Sequence, residues 1–305
     1  MKVLVTGGSG FIGSWISNKL YEEGYKVSIL DIKDPPKRVN YHSFIKGDIR
    51  NESLVVNALK HIDCVIHLAA LISVEESISK PMLYHDVNVI GTLNLLNASV
   101  KMKVEKFIYI SSAAVYGNPQ YLPIDEKHPL RPLSPYGASK ASGELYVLTY
   151  NDAYNLHTVI LRLFNVYGPR NEIRYSSVID KFVIRALRNK PLIIYGDGQQ
   201  TRDFIFIDDV ADAIARSIDV DEAINEIINI GCGKPVTIKD LARTILTLTG
   251  RDIPIMHVKA RTGDIRHSYA DIRKAMRILR WKPRYSLKRG LERTIECYKV
   301  LLEEN

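Results

Sequence analysis

The chain has 305 residues, of which 46% are hydrophobic and 25% charged, and this is ordinary for a globular protein with one large core or two modest ones. Its net charge of +8 suits an anionic ligand, but the basic residues are dispersed and no nucleic-acid-binding motif accompanies them, so we expect no nucleic-acid partner. No apolar run is long enough to span a membrane, and the Gly-rich start is unlike a signal peptide, so we expect a cytoplasmic protein without a membrane partner.

Short β-rich runs alternate with amphipathic segments in the first half of the chain. Strands are predicted at Lys2–Thr6, Lys26–Leu30, Ser43–Lys46, Cys64–Leu68, Lys106–Ile110 and Thr158–Leu163. Helices are predicted at about Phe11–Glu23, Glu52–Lys60 and Met82–Val100, and around Tyr136. Because strands that alternate with helices imply right-handed crossovers, this pattern predicts an α/β fold with a Rossmann-type, doubly wound parallel sheet.

The alternation loosens after about Gly168. Pro and Gly become frequent around Tyr195–Gly198, and short strands with short helices are expected from there to the end. We therefore predict a cofactor-binding domain over residues 1–168 and a smaller, substrate-binding lobe over residues 169–305. Asp208–Asp219 is a candidate helix that would pack back onto the first domain. The three cysteines are far apart, which predicts free thiols, no disulfide framework and no metal site.

A Gly-rich turn joins the first strand to the first helix. Gly7, Gly10 and Gly13 each permit a tight turn or a close backbone approach, and the following helix offers free amides to a pyrophosphate. The strand–turn–helix context indicates a dinucleotide site, in which we include Phe11 and Ile12.

Asp31 ends the second strand. An acid at this point can accept hydrogen bonds from both ribose hydroxyls of adenosine and would repel a 2′-phosphate, which favours NAD over NADP. Lys33, Lys37 and Arg38 follow closely and weaken that preference. The alternative for Asp31 is a carboxylate that caps a turn.

Two more segments follow strands of the same predicted sheet. Asp48 would accept from the adenine amino group, or it stabilises its own loop. Small residues after the fourth strand would let the cofactor lie close to the backbone, whereas His67 is expected to be structural. The cofactor-binding residues predicted in these segments are Asp48, Ile49, Leu68, Ala69 and Ala70.

Tyr136 and Lys140 lie four residues apart on a predicted helix, so the phenol and the ammonium share one helical face. A nearby cation favours the ionised phenol, and such a pair can supply a base near neutral pH. Pairs of this kind also occur on solvated helices. Together with the dinucleotide turn, the pair indicates redox chemistry on a hydroxyl group.

Seven motifs occur in order along the chain: TGGSGFIG, DI after the third strand, HLAA, SSAAVYG, SPYGASK, RLFNVYGPR and YGDGQQTRDFIFIDDVADA. From Met1 to about Asp271 the chain resembles the extended short-chain dehydrogenase/reductase superfamily and, within it, the UDP-glucose (UDP-galactose) 4-epimerase family. The resemblance implies NAD that stays bound through turnover. It also implies a homodimer paired through the Met82–Val100 and Tyr136–Tyr154 helices.

The resemblance also implies roles for individual residues. Tyr136 would be the acid/base, Lys140 would bind the nicotinamide ribose, and Ser112 would contact the reacting hydroxyl. Asn88 would lie near the nicotinamide side of the cofactor. Sugar 4,6-dehydratases of the superfamily carry an Asp-Glu pair where this chain has alanines at positions 113 and 114, and related decarboxylases keep the Glu. An alanine cannot exchange a proton, so epimerisation through a 4-keto sugar is favoured over elimination.

The nucleotide-sugar site implied by the resemblance consists of Asn165, Tyr195, Arg202, Arg261 and Asp264. The two arginines would bind the diphosphate, Asp264 the uridine ribose, Tyr195 the region of the uracil, and Asn165 the diphosphate or the sugar. The alternatives are a surface ion pair between Arg202 and Asp203, and a turn capped by Asn165.

Ser268 aligns with a gate position that is bulky in epimerases restricted to plain hexoses, so the small side chain predicts room for an N-acetylhexosamine. Ile72 replaces a Lys that many hexose epimerases have near the pyrophosphate. We expect a 4-epimerase of UDP-glucose and UDP-galactose. The alternatives are a 4-epimerase of another nucleotide sugar, such as UDP-glucuronate, and a non-catalytic regulator that senses NAD.

Overall fold

The structure is a computed structural model that describes residues 1–172, 177–260 and 263–303. The strands of its main sheet are β1 (Lys2–Thr6), β2 (Lys26–Asp31), β3 (Ser43–Lys46), β4 (Cys64–His67), β5 (Lys106–Ser112), β6 (His157–Leu163) and β11 (Glu226–Ile230). The shorter strands are β7 (Asn165–Tyr167), β8 (Leu192–Tyr195), β9 (Thr201–Arg202), β10 (Phe204–Phe206), β12 (Val236–Thr237) and β13 (Ile255–Val258). The helices are α1 (Phe11–Glu22), α2 (Glu52–Ala58), α3 (Val74–Ser79), α4 (Pro81–His85), α5 (Gly91–Met102), α6 (Pro135–Tyr154), α7 (Val178–Leu187), α8 (Ile207–Asp219), α9 (Ile238–Thr249), α10 (Arg273–Ile278) and α11 (Leu287–Glu303).

The main sheet is parallel throughout and has the order β11-β6-β5-β4-β1-β2-β3. Successive side chains of a strand point to opposite faces of the sheet, and helices cover both faces. Val3 and Val5 contact the core that includes residues of α1 and α8, whereas Leu4 contacts the core that includes residues of α2, α5 and α6. The predicted Rossmann-type, doubly wound fold is therefore confirmed.

Segments late in the chain belong to this sheet and its covering layer. Strand β11 extends the sheet by pairing in parallel with β6, and α8 packs against α1. The pairs β8–β13 and β9–β12, with α7 and α9 packed together, form a smaller lobe beside the carboxyl ends of the strands. Within the described ranges, no helix is long and apolar enough to cross a membrane.

Two predicted helical regions differ from the structure. The predicted helix Met82–Val100 is divided by a π-helical stretch, Asp86–Ile90, between α4 and α5. The expectation of only short helices near the C-terminus is wrong, because α11 has 17 residues. Leu291 and Ile295 recur at helical spacing on α11 and are buried, and this periodicity was the signal that the sequence analysis missed.

Candidate active site

The Gly-rich turn between β1 and α1 lies directly against the chain that leaves β4. Gly7 has φ +72°, and a Cβ atom on it would lie 2.7 Å from the backbone nitrogen of Ala69. A Cβ atom on Gly13 would lie 2.1 Å from the carbonyl oxygen of Gly7. Gly10 precedes α1 and has no side chain to cap it, so the first amides of the helix face outward without a side-chain acceptor. This turn fits the pyrophosphate of a dinucleotide, which needs close backbone approach and amide donors.

The carboxylate of Asp31 accepts two backbone hydrogen bonds. The amide of Ser9 donates to Oδ2 at 3.0 Å, and the amide of Lys33 donates to Oδ1 at 3.0 Å. The structure thus realises the turn-capping alternative. Each carboxylate oxygen has a further lone pair, so the predicted bonds to the adenosine ribose stay compatible with these contacts.

Asp48 makes its described contacts within its own loop. Its carboxylate accepts from Arg50 Nη2 at 2.6 Å and from the amide of the same residue at 2.8 Å. The Arg50 side-chain hydrogen bond is the main reason that the pKa of Asp48 is lowered. Ile49 is buried and packs against Gly91. These contacts match the loop-stabilising alternative, and contact with the adenine stays a prediction.

His67 joins two structural elements to the end of β4. Its Nδ1 lies 2.8 Å from Thr6 Oγ1, and its Nε2 lies 2.9 Å from Thr92 Oγ1. Burial, and secondarily the charge of Lys140, lower the pKa of His67 well below its usual range. The imidazole is therefore neutral and holds β1 and α5 to β4, as expected of a structural histidine.

Asn88 lies in the π-helical stretch and uses both ends of its amide within the protein. Its Oδ1 accepts from the Leu71 amide at 2.8 Å, and its Nδ2 donates to the Leu71 carbonyl and to Ser139 Oγ, each at 2.9 Å. The side chain therefore fixes the loop after β4 to the helix α6. Its predicted role near the nicotinamide stays a prediction, and the contacts described are those of a residue that positions this loop.

Ser112, Tyr136 and Lys140 are brought together where β5 ends and α6 begins. Ser112 is the last residue of β5, and Tyr136 is the second residue of α6. The Ser112 side chain acts on the Tyr136 phenol and opposes the rise in its pKa that burial causes. Lys140 lies one turn further along α6, is 4% exposed, and has its Nζ 4.1 Å from the centre of the Tyr109 ring. The predicted spacing of phenol and ammonium is thus realised on one helical face, where Lys140 is buried and Tyr136 is partly exposed.

Burial controls the protonation of these groups. It raises the pKa of Tyr136, and the neighbouring Ser112 side chain opposes that rise. Burial lowers the pKa of Lys140 to about 7, and the negative charge of Glu144 opposes that fall. In the described part of the chain, Lys140 Nζ makes no hydrogen bond, which fits a donor for the ribose hydroxyls of a cofactor. Ionisation of Tyr136 near neutral pH therefore calls for a further positive charge, which the oxidised nicotinamide carries.

A cavity of about 410 Å³ lies in the smaller lobe, next to the start of β7. Four of the predicted substrate residues line it, namely Asn165, Tyr195, Arg202 and Asp264. Lys181 and Arg185 of α7 and Gln200 also line it, and they were not among the residues predicted from the sequence. The two basic residues are four positions apart on a helix, and that spacing was the available signal.

Arg202 pairs with Asp264, and the predicted alternative of a surface pair with Asp203 is wrong. Arg202 Nη2 lies 2.6 Å from Asp264 Oδ1, and its Nη1 donates to the carbonyls of Thr201 and Ile265. Burial lowers the pKa of Arg202, and Asp264 opposes this. An arginine has five N–H donors, and these contacts leave donors for a phosphate oxygen.

Asp203 is fully buried and joins three segments around the cavity. Its carboxylate accepts from the amides of Cys232 at 2.7 Å, Gly233 at 2.9 Å and Ala270 at 3.1 Å. Its carbonyl accepts from Asn165 Nδ2 at 3.0 Å, so the side-chain amide of that predicted substrate residue is held at the start of β7. Desolvation raises the pKa of Asp203 to about 6, against the three backbone donors.

Two predicted substrate residues lie apart from these contacts. Ser268 is buried, its amide donates to the Thr201 carbonyl at 3.2 Å, and it does not line the cavity. Arg261 falls outside the described residues. The predicted roles of both stay predictions.

The cysteines and the acidic side chains bear on the predicted absence of disulfides and metal sites. Cys64 is buried, Cys232 and Cys297 are partly buried, and all three are free thiols. Within residues 1–172, 177–260 and 263–303, no group of three His, Cys, Asp or Glu side chains is arranged to hold a metal ion.

Comparison with known proteins identifies the family. Residues 3–231 match the model of the NAD dependent epimerase/dehydratase family. The putative UDP-glucose 4-epimerase of Methanocaldococcus jannaschii is 42% identical over 304 residues, which cover 97% of this chain and 98% of that protein.

Solved structures agree over nearly the whole chain. UDP-glucose 4-epimerase of Thermotoga maritima, solved with UDP-glucose, matches with a TM-score of 0.95 and 36% identity over 99% of this chain and 100% of that one. UDP-N-acetylglucosamine 4-epimerase of Methanobrevibacter ruminantium, in complex with UDP-N-acetylmuramic acid, matches with a TM-score of 0.93 and 37% identity over 98% of each chain. The chain therefore belongs to the NAD-dependent epimerase/dehydratase family, as an NAD-dependent isomerase with the fold of the extended short-chain dehydrogenases/reductases.

Proposed function

We propose that the protein interconverts UDP-glucose and UDP-galactose by inverting carbon 4 of the sugar through a transient 4-keto sugar. The observation that carries this proposal is the placement of Ser112, Tyr136 and Lys140 at the carboxyl edge of the sheet that also carries the dinucleotide turn. Bound NAD supplies a reversible acceptor for the hydrogen of carbon 4. Similar proteins are named as UDP-glucose 4-epimerases, and this supports UDP-sugars as the substrate class.

Tyr136 would move the proton of the sugar 4-hydroxyl. Its phenolate accepts that proton during oxidation and returns it to the same oxygen during reduction on the other face of the sugar, so no proton is gained or lost overall. Ser112 lies at the end of β5 and acts on the Tyr136 phenol, and it would hold the substrate oxygen in line with that phenol. Lys140, when protonated, favours the phenolate and would bind the nicotinamide ribose.

The turn after Ser112 favours epimerisation over loss of water. Ala113 and Ala114 form the start of a 3₁₀ turn directly after β5, and the Ala114 amide donates to Ser112 Oγ at 3.2 Å. Neither side chain can give or take a proton, so no acid or base stands at the two positions that dehydratases use for elimination. A 4-keto sugar formed here is therefore returned to a hexose.

The cavity beside Arg202 would hold the nucleotide diphosphate. Arg202 is fixed by two carbonyls and by Asp264, so it can present its remaining donors to a phosphate without losing much side-chain freedom. Asp264 would accept from the uridine ribose, Tyr195 would lie by the uracil, and Asn165 would contact the diphosphate or the sugar. Arg261 would add a second cation to the diphosphate.

Incubation of the purified, NAD-loaded protein with UDP-glucose tests the proposal. We expect UDP-galactose to appear in the NMR spectrum, and we expect the reverse conversion from UDP-galactose. Conversion of UDP-glucuronate alone would redirect the proposal to uronic sugars. If no sugar is converted and the bound cofactor shows no NADH absorbance with any UDP-sugar, the result would contradict the proposed substrate class and favour the alternative of a non-catalytic regulator that senses NAD.

Ser268 supports a second activity, on UDP-N-acetylhexosamines. Its side chain is small, and one structural relative is named for UDP-N-acetylglucosamine. The Ser268→Tyr variant should lose turnover of UDP-N-acetylglucosamine and keep turnover of UDP-glucose. If the unaltered protein converts UDP-glucose well but leaves UDP-N-acetylglucosamine untouched, this second activity is excluded.

We also propose that two copies pair through α4, α5 and α6. Large apolar side chains on α4 and α6 are exposed, with Met82 at 69% and Leu145 at 61%. A second copy would cover them, because exposed apolar patches of this kind mark interaction surfaces. Sedimentation velocity should give a dimer for the unaltered protein and a monomer for Leu145→Glu, and a monomer for both would contradict the pairing.

A further inference from the structure

A buried ion pair lies one helical turn beyond Lys140. Glu144 of α6 and Arg162 of β6 have side chains that are only 1% and 2% exposed. Arg162 Nη2 lies 2.6 Å from Glu144 Oε2, and Arg162 Nε lies 3.0 Å from Oε1. Ser111 Oγ also donates to the Glu144 carboxylate. The carboxylate is thus fixed by two neighbouring strands of the sheet.

This carboxylate lies on the helix that carries two of the candidate catalytic residues and bonds to the strand that carries the third. Tyr136, Lys140 and Glu144 follow one another at intervals of four residues, which places them along one face of α6. Ser111, which Glu144 accepts from, immediately precedes Ser112 on β5. A displacement of Glu144 would therefore be felt by the helix and by the strand that carry the three side chains.

Among the described residues, the ionisable groups that face Lys140 come from three elements. Tyr109 of β5 lies under its Nζ, neutral His67 lies on β4, and Tyr136 and Glu144 lie on its own helix. Burial disfavours the charged form of both Lys140 and His67, and the phenols are neutral. Glu144 is the one of these four that supplies a negative charge to keep the ammonium protonated.

We propose that Glu144 is a positioning residue for catalysis, which keeps Lys140 charged and in place while Arg162 fixes the Glu144 carboxylate. The proposal rests on the proposed function only in that it takes Lys140 to serve the reaction. Buried ion pairs add little to stability compared with apolar residues of the same size, so packing alone gives no reason for charges at this place. A buried lysine one turn away, which needs a counter-charge to stay protonated, gives such a reason.

Arg162 is held at its other end as well. Its Nη1 donates to Tyr116 Oη at 2.9 Å, and Tyr116 Oη donates to Asn229 Oδ1 at 2.6 Å. Asn229 Nδ2 donates in turn to the Ile124 carbonyl at 2.9 Å. Since these bonds leave Arg162 no alternative position, the carboxylate of Glu144 is kept at a constant place along α6.

The experiment compares the protonation of Lys140 in the unaltered protein and in Glu144→Gln/Arg162→Met, both with added NAD. The double variant removes both charges, because loss of Glu144 alone leaves a buried arginine unpaired and can prevent folding. Lysine side chains are labelled with ¹³C at Cε, and the Lys140 signal is the one that Lys140→Met lacks. We expect its titration midpoint to fall by about one pH unit in the double variant. Accordingly, kcat should fall about tenfold at pH 8 but only about twofold at pH 6, with KM little changed.

The matched control is Asp180→Asn/Arg170→Met, which removes another buried ion pair, on α7 and the loop after β7. It should lower stability without moving the Lys140 midpoint. An unchanged midpoint in Glu144→Gln/Arg162→Met overturns the proposal, as does an equal change in the control. Because the NMR titration uses no sugar, it gives its answer even if the protein acts on a substrate other than the one proposed.

Discussion

The buried carboxyl group of Asp203 allows a quantitative prediction for Asp203→Asn. Asp203 joins the chain after β11 to the chain around Ala270, and desolvation raises its pKa to about 6 from 3.8. A carboxyl group with a higher pKa in the folded chain binds its proton more tightly there. Its contribution to stability is therefore greatest at low pH and is lost as the pH rises from about 3.8 to about 6.

The size of this loss follows from the difference between the two pKa values. A difference of about 2.2 pH units corresponds to about 3 kcal/mol, most of which is lost between about pH 4 and pH 7. Asparagine keeps the shape of the side chain but does not titrate. The NH₂ group of the asparagine also faces the N–H group of a backbone amide. This contact between two donors lowers the stability of the folded chain by about 1–3 kcal/mol at every pH.

Urea unfolding followed by circular dichroism should be measured at pH 4, 5, 6 and 7. The stability advantage of the unaltered protein over Asp203→Asn should shrink by about 2 kcal/mol from pH 4 to pH 7. Asp34→Asn, at a side chain that is 71% exposed, is the control and should change stability by less than about 0.5 kcal/mol at each pH. A constant advantage across this range would show that the three amide donors outweigh desolvation, and would refute the reasoning.

Three further predictions concern the candidate site. Tyr136→Phe should retain NAD, seen by fluorescence, and lose nearly all turnover, seen by NMR, because only the acid/base oxygen is removed; retained turnover would contradict its role. Gly13→Ala should weaken NAD binding at least about tenfold, as measured by calorimetry, because the new Cβ atom would lie 2.1 Å from the Gly7 carbonyl oxygen and must displace the turn. Unchanged affinity would argue against this turn as the pyrophosphate site. Arg202→Met should raise KM for UDP-glucose with a smaller effect on kcat, because Arg202 lines the cavity with Asp264 and would bind the diphosphate rather than the reacting carbon. A fall in kcat alone would contradict a role for Arg202 in substrate binding.

Features that depend on residues close together in the chain were predictable from the sequence. The Gly-rich turn needs only β1, the glycines and the start of α1, and the phenol and ammonium of Tyr136 and Lys140 need only one turn of α6. The alternation of strands and helices likewise fixed the parallel sheet. These features are local, because backbone conformation and helical periodicity bring their atoms together without help from the rest of the fold.

The actual partners of the charged groups were decided by the tertiary structure. Arg202 pairs with Asp264, 62 positions later, rather than with its neighbour Asp203, because Asp203 is turned inward to three distant amides. Glu144 likewise meets Arg162 only because α6 packs on the sheet beside β6. Sequence spacing does not predict such contacts, because a buried charged group pairs with residues that tertiary packing brings next to it. Burial itself is also a property of the whole fold.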